Sequence, residues 1–273
     1  MKSPVRENRT PGSVQGVSGN RCSYCDAKYR EMILEVFISI MVVALASTAI
    51  FRLNGLVSSI RLKVSSNAYL NAHTKYQIAL LVLSLVVLVL TYFQNSSNFR
   101  LLFSVGNLSS SAIPVKWFGI MENHTWIYVG LYLCIIITLG TFGFVYFQFK
   151  QLKVGVKHVL PYTAWIIAFS LTNSFSEEAI YRVGIISPLY GDISMSSLVL
   201  LSAVMFGIVH FSGMPHGLLG MLMAGFLGWF LAKSVVETQG IFWAWLIHFI
   251  QDVVIYMGFI VGNISANRAI KSG

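Results

Sequence analysis

Residues 126–148 read WIYVGLYLCIIITLGTFGFVYFQ, a run of 23 residues without a charged side chain. About 18 or more consecutive apolar residues are typical of a helix that crosses a membrane. Apolar segments of the same kind lie on both sides of this run, at residues 32–51, 77–94, 159–173, 175–190, 196–211, 215–233 and 240–261. The sequence therefore predicts an all-α fold, a polytopic membrane bundle of about eight transmembrane helices.

The overall composition also indicates a membrane protein. Hydrophobic residues make up 56% of the 273 residues and charged residues only 11%, whereas soluble domains carry about 25% charged residues. The net charge is +9, but the basic residues are scattered through loops and tails, so we expect no nucleic-acid partner. The apolar segments lack the alternating pattern of a transmembrane β-barrel. The predicted surroundings of the chain are therefore membrane lipid.

The chain divides into four predicted regions: residues 1–30, 31–155, 156–262 and 263–273. The first is polar and predicts a disordered cytosolic tail, the next two hold the transmembrane helices, and the last is a short C-terminal tail. The basic residues of the first region place it in the cytoplasm, and eight spans would return the C-terminus to the same side. On that arrangement, four basic residues between the first two segments face outward: Arg52, Arg61, Lys63 and Lys75.

Polar side chains interrupt the last four apolar segments. The stretch N-S-F-S-E-E-A-I-Y-R-V-G at residues 173–184 holds three of them, and two further segments hold the rest. The six ionisable residues are Glu177, Glu178, Arg182, His210, His248 and Asp252. One such residue is most simply a helix-end group that reaches the interface, or a polar cross-link. Six together favour a functional site, because each is costly in hydrocarbon.

The spacing of these residues indicates which of them pair. Glu178 and Arg182 are four residues apart, so they share a helix face and form an ion pair. Glu177 points about 100° away from Glu178 and is free to face a different cavity. His248 and Asp252 are also four residues apart, which lets the carboxylate orient the imidazole.

The order of the segments places four of these side chains at one depth. Glu177, His210, His248 and Asp252 are expected to converge in a pocket that opens to the cytosolic leaflet. Phe206 precedes His210 by four residues, so its ring is expected to wall the imidazole. A partly desolvated carboxylate is a general base for water, and imidazoles orient that water, donate to an oxyanion or bind a metal. The pattern therefore points to hydrolysis.

Three motifs in this region resemble those of a known family. They are E-E-x-x-x-R at residues 177–182, F-x-x-x-H at 206–210 and H-x-x-x-[N/D] at 248–252. In this order and spacing they resemble the CAAX protease and bacteriocin-processing (CPBP, or Abi) family of intramembrane endopeptidases, related to the type II CAAX prenyl endopeptidase. The resemblance covers about residues 160–260, so it identifies the region 156–262 as a catalytic membrane domain of this type.

The resemblance implies a bundle of eight helices with a conical cavity, open to membrane and cytosol, in which a peptide bond is hydrolysed. By motif position, Glu177 would activate water with help from His210. His248 and Asp252 would stabilise the tetrahedral oxyanion.

The resemblance further implies that Glu178 and Arg182 support the site. The expected substrates are peptides or prenylated and other lipid-associated proteins. The expected location is the plasma membrane of a bacterium, with both termini in the cytoplasm.

Position 252 departs from many members of this family, which have Asn where this chain has Asp252. An ionised Asp would repel an oxyanion, so it would have to be protonated, orient His248 or bind a cation. The alternative is therefore a zinc site, in which Glu177, His210 and His248 hold the metal with water as the fourth ligand. We favour the mechanism without a cofactor.

Two other kinds of function compete with the protease. Embedded Glu, His and Asp residues also form proton relays, which would suit a proton- or ion-coupled transporter. Transporters often consist of two repeated halves, whereas the embedded charges here lie only in the second half of the chain. The other alternative is a non-catalytic scaffold or immunity protein with the same fold.

Overall fold

The computed structural model describes residues 23–272 of the chain and the side chains of residues 29–269. The predicted tail, residues 1–30, lies mostly outside the described residues, and the first helix begins within its last part, at Ser23. The described residues form helices and connecting loops, with isolated β-bridges but no strand. The prediction of an all-α membrane bundle is confirmed.

Ten α-helices follow one another in the described range. They are α1 (Ser23–Leu56), α2 (Ala68–Gln94), α3 (Ser96–Leu102), α4 (Trp126–Phe149), α5 (Val156–Val159), α6 (Thr163–Glu178), α7 (Gly184–Leu189), α8 (Met195–Val209), α9 (Leu218–Thr238) and α10 (Phe242–Ser272). Six of them, α1, α2, α4, α8, α9 and α10, are long and apolar enough to cross a membrane. Apolar side chains on the outside of the bundle are widely exposed, among them Leu139 and Phe147 of α4, as a lipid-facing surface requires.

The predicted fourth and fifth segments form one continuous helix. A π-helical turn, Ala179–Val183, joins α6 to α7, so the helix runs from Thr163 to Leu189. The predicted division near Asn173 is wrong, because the polar residues there do not end the helix. The hydroxyl of Ser174 donates to the carbonyl of Ser170 one turn earlier, at 2.7 Å, instead of capping a new helix. The described chain thus has seven long helical segments instead of eight.

Helix α10 lies at the centre of the bundle. It runs parallel to α4, since Trp243 contacts the position of Gly130 near the start of α4 and Gly258 contacts Phe149 at its end. It runs antiparallel to α6, whose first turns pack Phe169 against Tyr256. Polar side chains of α6 and α10 therefore face each other at the middle of the bundle.

The loop between α3 and α4 is fastened to the end of α9. Glu237 Oε2 accepts hydrogen bonds from the backbone N–H of Ile113 and from the indole N–H of Trp126, each at 2.9 Å. The other oxygen of Glu237 pairs with Lys233, and both side chains are 6% exposed. Glu237 lies in the last turn of α9 and holds this loop in place.

Candidate active site

The side chains expected at the site line one cavity of about 790 Å³. Glu177 comes from α6, His210 from the turn that follows α8, and His248 and Asp252 from α10. Side chains of α1, α2, α4 and α9 complete the cavity wall. The structure thus brings together four residues that are separated by up to 75 positions in the sequence.

Glu177 faces two imidazoles. Its Oε2 atom lies 3.6 Å from His248 Nε2 and 3.9 Å from His210 Nε2. Its Oε1 atom accepts a hydrogen bond from Asn173 Nδ2 at 3.2 Å. Oε2 is buried and has no hydrogen-bond partner among the described residues. A buried acceptor of this kind on a cavity wall is a place for a polar ligand such as water.

His210 presents one defined nitrogen to Glu177. Its Nδ1 atom lies 2.8 Å from the carbonyl oxygen of Phe206. A carbonyl oxygen only accepts, so Nδ1 carries the hydrogen, and Nε2 of the neutral ring is an acceptor that faces the cavity. The Phe206 ring lies against the imidazole with a centroid separation of 4.4 Å. The expectation that Phe206 walls His210 is confirmed.

His248 lies between the two adjacent glutamates. Its Nδ1 atom donates to Glu178 Oε1 at 2.8 Å, while Nε2 faces Glu177 Oε2. Glu177 lines the cavity, whereas Glu178 is fully buried and is absent from its wall. Side chains about 100° apart on one helix diverge, but the imidazole lies between them and meets each with a different nitrogen. His248 Nε2 also lies 3.7 Å from Asp252 Oδ1.

Glu178 and Arg182 form the predicted pair. Arg182 Nε lies 3.1 Å from Glu178 Oε2, and both side chains are fully buried. The guanidinium also lies over the Phe206 ring, 4.4 Å from its centroid, and Nη1 donates to Ser202 Oγ at 3.3 Å. The arginine therefore fixes Glu178 and the aromatic wall of the site together.

The π turn, Ala179–Val183, was not predicted, and no residue type in it signals one. Such turns widen a helix by one residue and are frequent at functional sites. Arg182 lies inside the turn and Glu178 directly precedes it. Gly184 follows, where a Cβ atom would come within 2.9 Å of Val87 Cγ1 on α2. Glycine therefore lets the widened helix keep close contact with α2.

Sequence reasoning missed a set of amide and phenol groups beside the carboxylates. Asn173 Nδ2 donates to Asp252 Oδ2 at 3.1 Å as well as to Glu177. Gln77 Nε2 of α2 lies 2.7 Å from the hydroxyl oxygen of Tyr256 and 3.5 Å from Asn173 Oδ1. The one available signal was the spacing of four between Asn173 and Glu177, which places both on one face of α6.

The zinc alternative gains no support from this geometry. Among the described residues, no group of three or more His, Cys, Asp and Glu side chains is arranged to hold a metal ion. The proposed ligands Glu177, His210 and His248 do line one cavity, but the absence of a cofactor stays a prediction.

Residues 159–254 match the family model described as type II CAAX prenyl endopeptidase Rce1-like. The matched range begins just before α6 and ends in α10, so it contains all three motifs and the four residues of the cavity wall. Neither the curated proteins nor the solved structures give a match to the chain. The resemblance drawn from the three motifs is confirmed: residues 159–254 are similar to the Rce1-like type II CAAX prenyl endopeptidases, a family of membrane proteases.

Proposed function

We propose that this protein is an intramembrane endopeptidase in which Glu177 activates the water that attacks the peptide bond. The observation that carries the proposal is the unpartnered Oε2 of Glu177, which faces His210 Nε2 and His248 Nε2 at 3.9 and 3.6 Å. A water above these three atoms donates to the carboxylate and to the neutral His210. Because both groups accept a hydrogen bond from the same water, they polarise its O–H bonds and make its oxygen a stronger nucleophile.

The reaction follows from these positions. Glu177 takes a proton from the water while the water oxygen bonds to the carbonyl carbon of the peptide. His248, in its doubly protonated form, donates from Nε2 to the oxyanion that develops. When the C–N bond breaks, Glu177 returns the proton to the leaving amine. The oxygen of the water and one of its hydrogens thereby enter the new carboxyl group, and the other hydrogen enters the new amino group.

Glu178 and Arg182 support this chemistry without touching the reacting atoms. Glu178 accepts from Nδ1 of His248 and so holds the opposite nitrogen toward the cavity. A second partner that orients an imidazole is a recurrent device in catalytic sites. Arg182 neutralises Glu178 within the fully buried pair, so Glu178 is held away from the cavity and Glu177 is the glutamate that can receive the proton of the water.

The cavity supports a substrate with an apolar part. Aromatic and aliphatic side chains form much of its wall, among them Phe118, Phe144, Met223 and Phe226, while Glu177 belongs to the polar part of the wall. A peptide that carries a lipid or an apolar segment fits such a wall. The proposed substrates are therefore prenylated or membrane-associated peptides, in line with the prenyl substrates that the family's description names.

Peptide cleavage by the purified protein tests this proposal. Wild type, Glu177→Ala and His210→Ala are incubated with prenylated and unmodified peptides, with and without a chelator, and the products are identified by mass spectrometry. Cleavage should be lost in Glu177→Ala, strongly reduced in His210→Ala, and unchanged by chelator in wild type. Cleavage that persists in Glu177→Ala would refute the glutamate mechanism, and loss with chelator would replace it with the zinc mechanism.

A further inference from the structure

Asn173 stands between the two carboxylates of the cavity wall. Its Nδ2 atom donates one hydrogen to Glu177 Oε1 at 3.2 Å and the other to Asp252 Oδ2 at 3.1 Å. An amide nitrogen has two hydrogens, and each of them is donated to a carboxyl oxygen on a different helix. A hydrogen bond of this kind is stronger when the carboxyl group is ionised.

A second amide defines the orientation of Asn173. Its Oδ1 atom lies 3.5 Å from Gln77 Nε2 on α2, and Gln77 Nε2 also lies 2.7 Å from the hydroxyl oxygen of Tyr256. Turning the Asn173 amide over would place its oxygen against two carboxylates and its nitrogen against a donor. The arrangement therefore has one stable orientation, with the NH₂ group toward Glu177 and Asp252.

The bond from Asn173 decides which oxygen of Glu177 is free. Oε1 is occupied by the amide, whereas Oε2 has no partner among the described residues and points toward the imidazoles of His210 and His248. Without the amide, the Glu177 side chain could rotate, and the two carboxylates would repel each other across the gap that Asn173 fills. A misplacement of about 1 Å at a reacting group can cost about a hundredfold in rate.

We propose that Asn173 is a positioning residue that clamps Glu177 and Asp252 together, so that one carboxylate oxygen of Glu177 is held toward the histidine pair. The proposal rests on the proposed function, since it assigns Asn173 to the same hydrolytic reaction. Gln77 fixes the amide from α2 and contributes a weaker effect.

Kinetics of three variants test the clamp, with Thr172→Ala as the matched control. The Thr172 hydroxyl donates to the Ala168 carbonyl within the same helix, so its loss should leave kcat unchanged. Asn173→Ala removes both donors and should lower kcat by about ten- to a hundredfold with little change in KM. Asn173→Asp keeps the shape but adds a third carboxylate, and should lower kcat at least as far. Gln77→Ala should lower kcat less than either.

The outcomes separate the clamp from the protease proposal. If wild type cleaves, Glu177→Ala does not, and both Asn173 variants keep the wild-type kcat, the clamp is refuted and the protease stands. If Glu177→Ala still cleaves, the proposed function fails first. If Asn173→Ala does not fold, as judged by its melting temperature in detergent, the shape-matched Asn173→Asp decides: wild-type kcat in that variant overturns the clamp.

Discussion

Asp252 places a carboxyl group beside the imidazole of His248, which would face the oxyanion that develops during the reaction. Asp252 Oδ1 lies 3.7 Å from His248 Nε2, and Oδ2 accepts from Asn173. In Asp252→Asn the amide oxygen can still accept from Asn173, while its NH₂ group becomes a donor for the oxyanion. We therefore expect Asp252→Asn to keep a kcat close to wild type.

The control for this substitution is Asp252→Leu, which has the same branched skeleton of heavy atoms but no polar atom. It leaves the Asn173 donor unsatisfied and should lower kcat by about tenfold or more. Both variants are compared by steady-state cleavage of the same peptide. If Asp252→Asn were as inactive as Asp252→Leu, the negative charge itself would be required, and the oxyanion role assigned to this position would be wrong.

Substitution of the two adjacent glutamates should affect stability and catalysis differently. Glu178 is the partner of the fully buried Arg182, so Glu178→Gln leaves a buried charge without its counter-ion. Breaking a buried pair in this way typically costs about 3–5 kcal/mol. Glu177→Gln removes no such pair and should melt close to wild type while losing cleavage.

Thermal unfolding in detergent, monitored by far-UV circular dichroism, measures both variants. Glu177→Gln should have a melting temperature equal to that of wild type or slightly lower. The melting temperature of Glu178→Gln should be well below both. Equal melting temperatures for the two variants would contradict the bracing role of the Glu178–Arg182 pair.

At the scale of helices, two ion pairs of different exposure contact or lie within the loop between α3 and α4. Lys233–Glu237 is 6% exposed on both sides and Glu237 also holds Ile113 and Trp126. Lys116–Glu122, in the same loop, is 74% and 77% exposed. Exposed pairs contribute about 0–1 kcal/mol, whereas removing one partner of a buried pair costs far more.

We therefore expect Glu237→Gln to release this loop and Glu122→Gln to leave it in place. Limited proteolysis of the purified protein, with the cleavage sites read by mass spectrometry, should show faster cutting within residues 103–125 only in Glu237→Gln. Equal cutting rates in the two variants would mean that the contacts of Glu237 do not fasten the loop.

Apolar runs predicted most helices because a long uncharged segment has few alternatives in a membrane. The division near Asn173 was predicted wrongly because its polar side chains find partners on other helices, such as Gln77 on α2 and Asp252 on α10. The sequence of one segment cannot reveal partners that lie on other helices. The same cause hid Asn173 itself, since single amides are common in apolar helices, whereas charged motifs in a fixed order are not.

For the molecule as a whole, seven long helical segments imply a different orientation from eight. The helix Thr163–Leu189 passes from one end of the bundle to the other. Phe169 packs with Tyr256 near its start, and the carbonyl of Tyr190 after its end accepts a hydrogen bond from Asn98 of α3. If this helix crosses the membrane beside the six helices named above, the crossings number seven, and the start of α1 and the end of α10 would lie on opposite sides. The expectation that both termini are cytoplasmic depended on an even number of membrane crossings.

Basic residues mark one end of the bundle. The segments at this end are residues 52–76, 150–162, 211–217 and 263–269, and none contains Asp or Glu. Contacts show that they lie together: Asn67 Nδ2 donates to Asn263 Oδ1 at 2.9 Å, and Lys75 Nζ donates to the carbonyl of Ile60 at 3.2 Å. The eight basic residues of these segments are Arg52, Arg61, Lys63, Lys75, Lys150, Lys153, Lys157 and Arg268.

An excess of Lys and Arg in short loops marks the cytoplasmic side. The basic end is therefore predicted to face the cytoplasm. This accounts for Arg52, Arg61, Lys63 and Lys75, and it places the basic region 1–30, which the sequence analysis assigned to the cytoplasm, on the other side. The cavity reaches this end, since Gln148 and Met214 both line it and contact each other there at 3.7 Å. A substrate would then reach Glu177 from the cytoplasmic leaflet, while the start of α1 lies on the other side.

Cysteine labelling in intact cells measures this orientation. In a background in which Cys22, Cys25 and Cys134 are replaced by Ser, single cysteines are placed at Lys63, Lys153 and Glu122. A membrane-impermeant maleimide should label only Glu122→Cys, since the loop between α3 and α4 lies at the opposite end, fastened to the last turn of α9. Permeabilised cells should label all three, which controls for accessibility. Labelling of Lys63→Cys and Lys153→Cys in intact cells would place the cavity mouth outside the cytoplasm, because the basic end and the mouth of the cavity are the same end of the bundle.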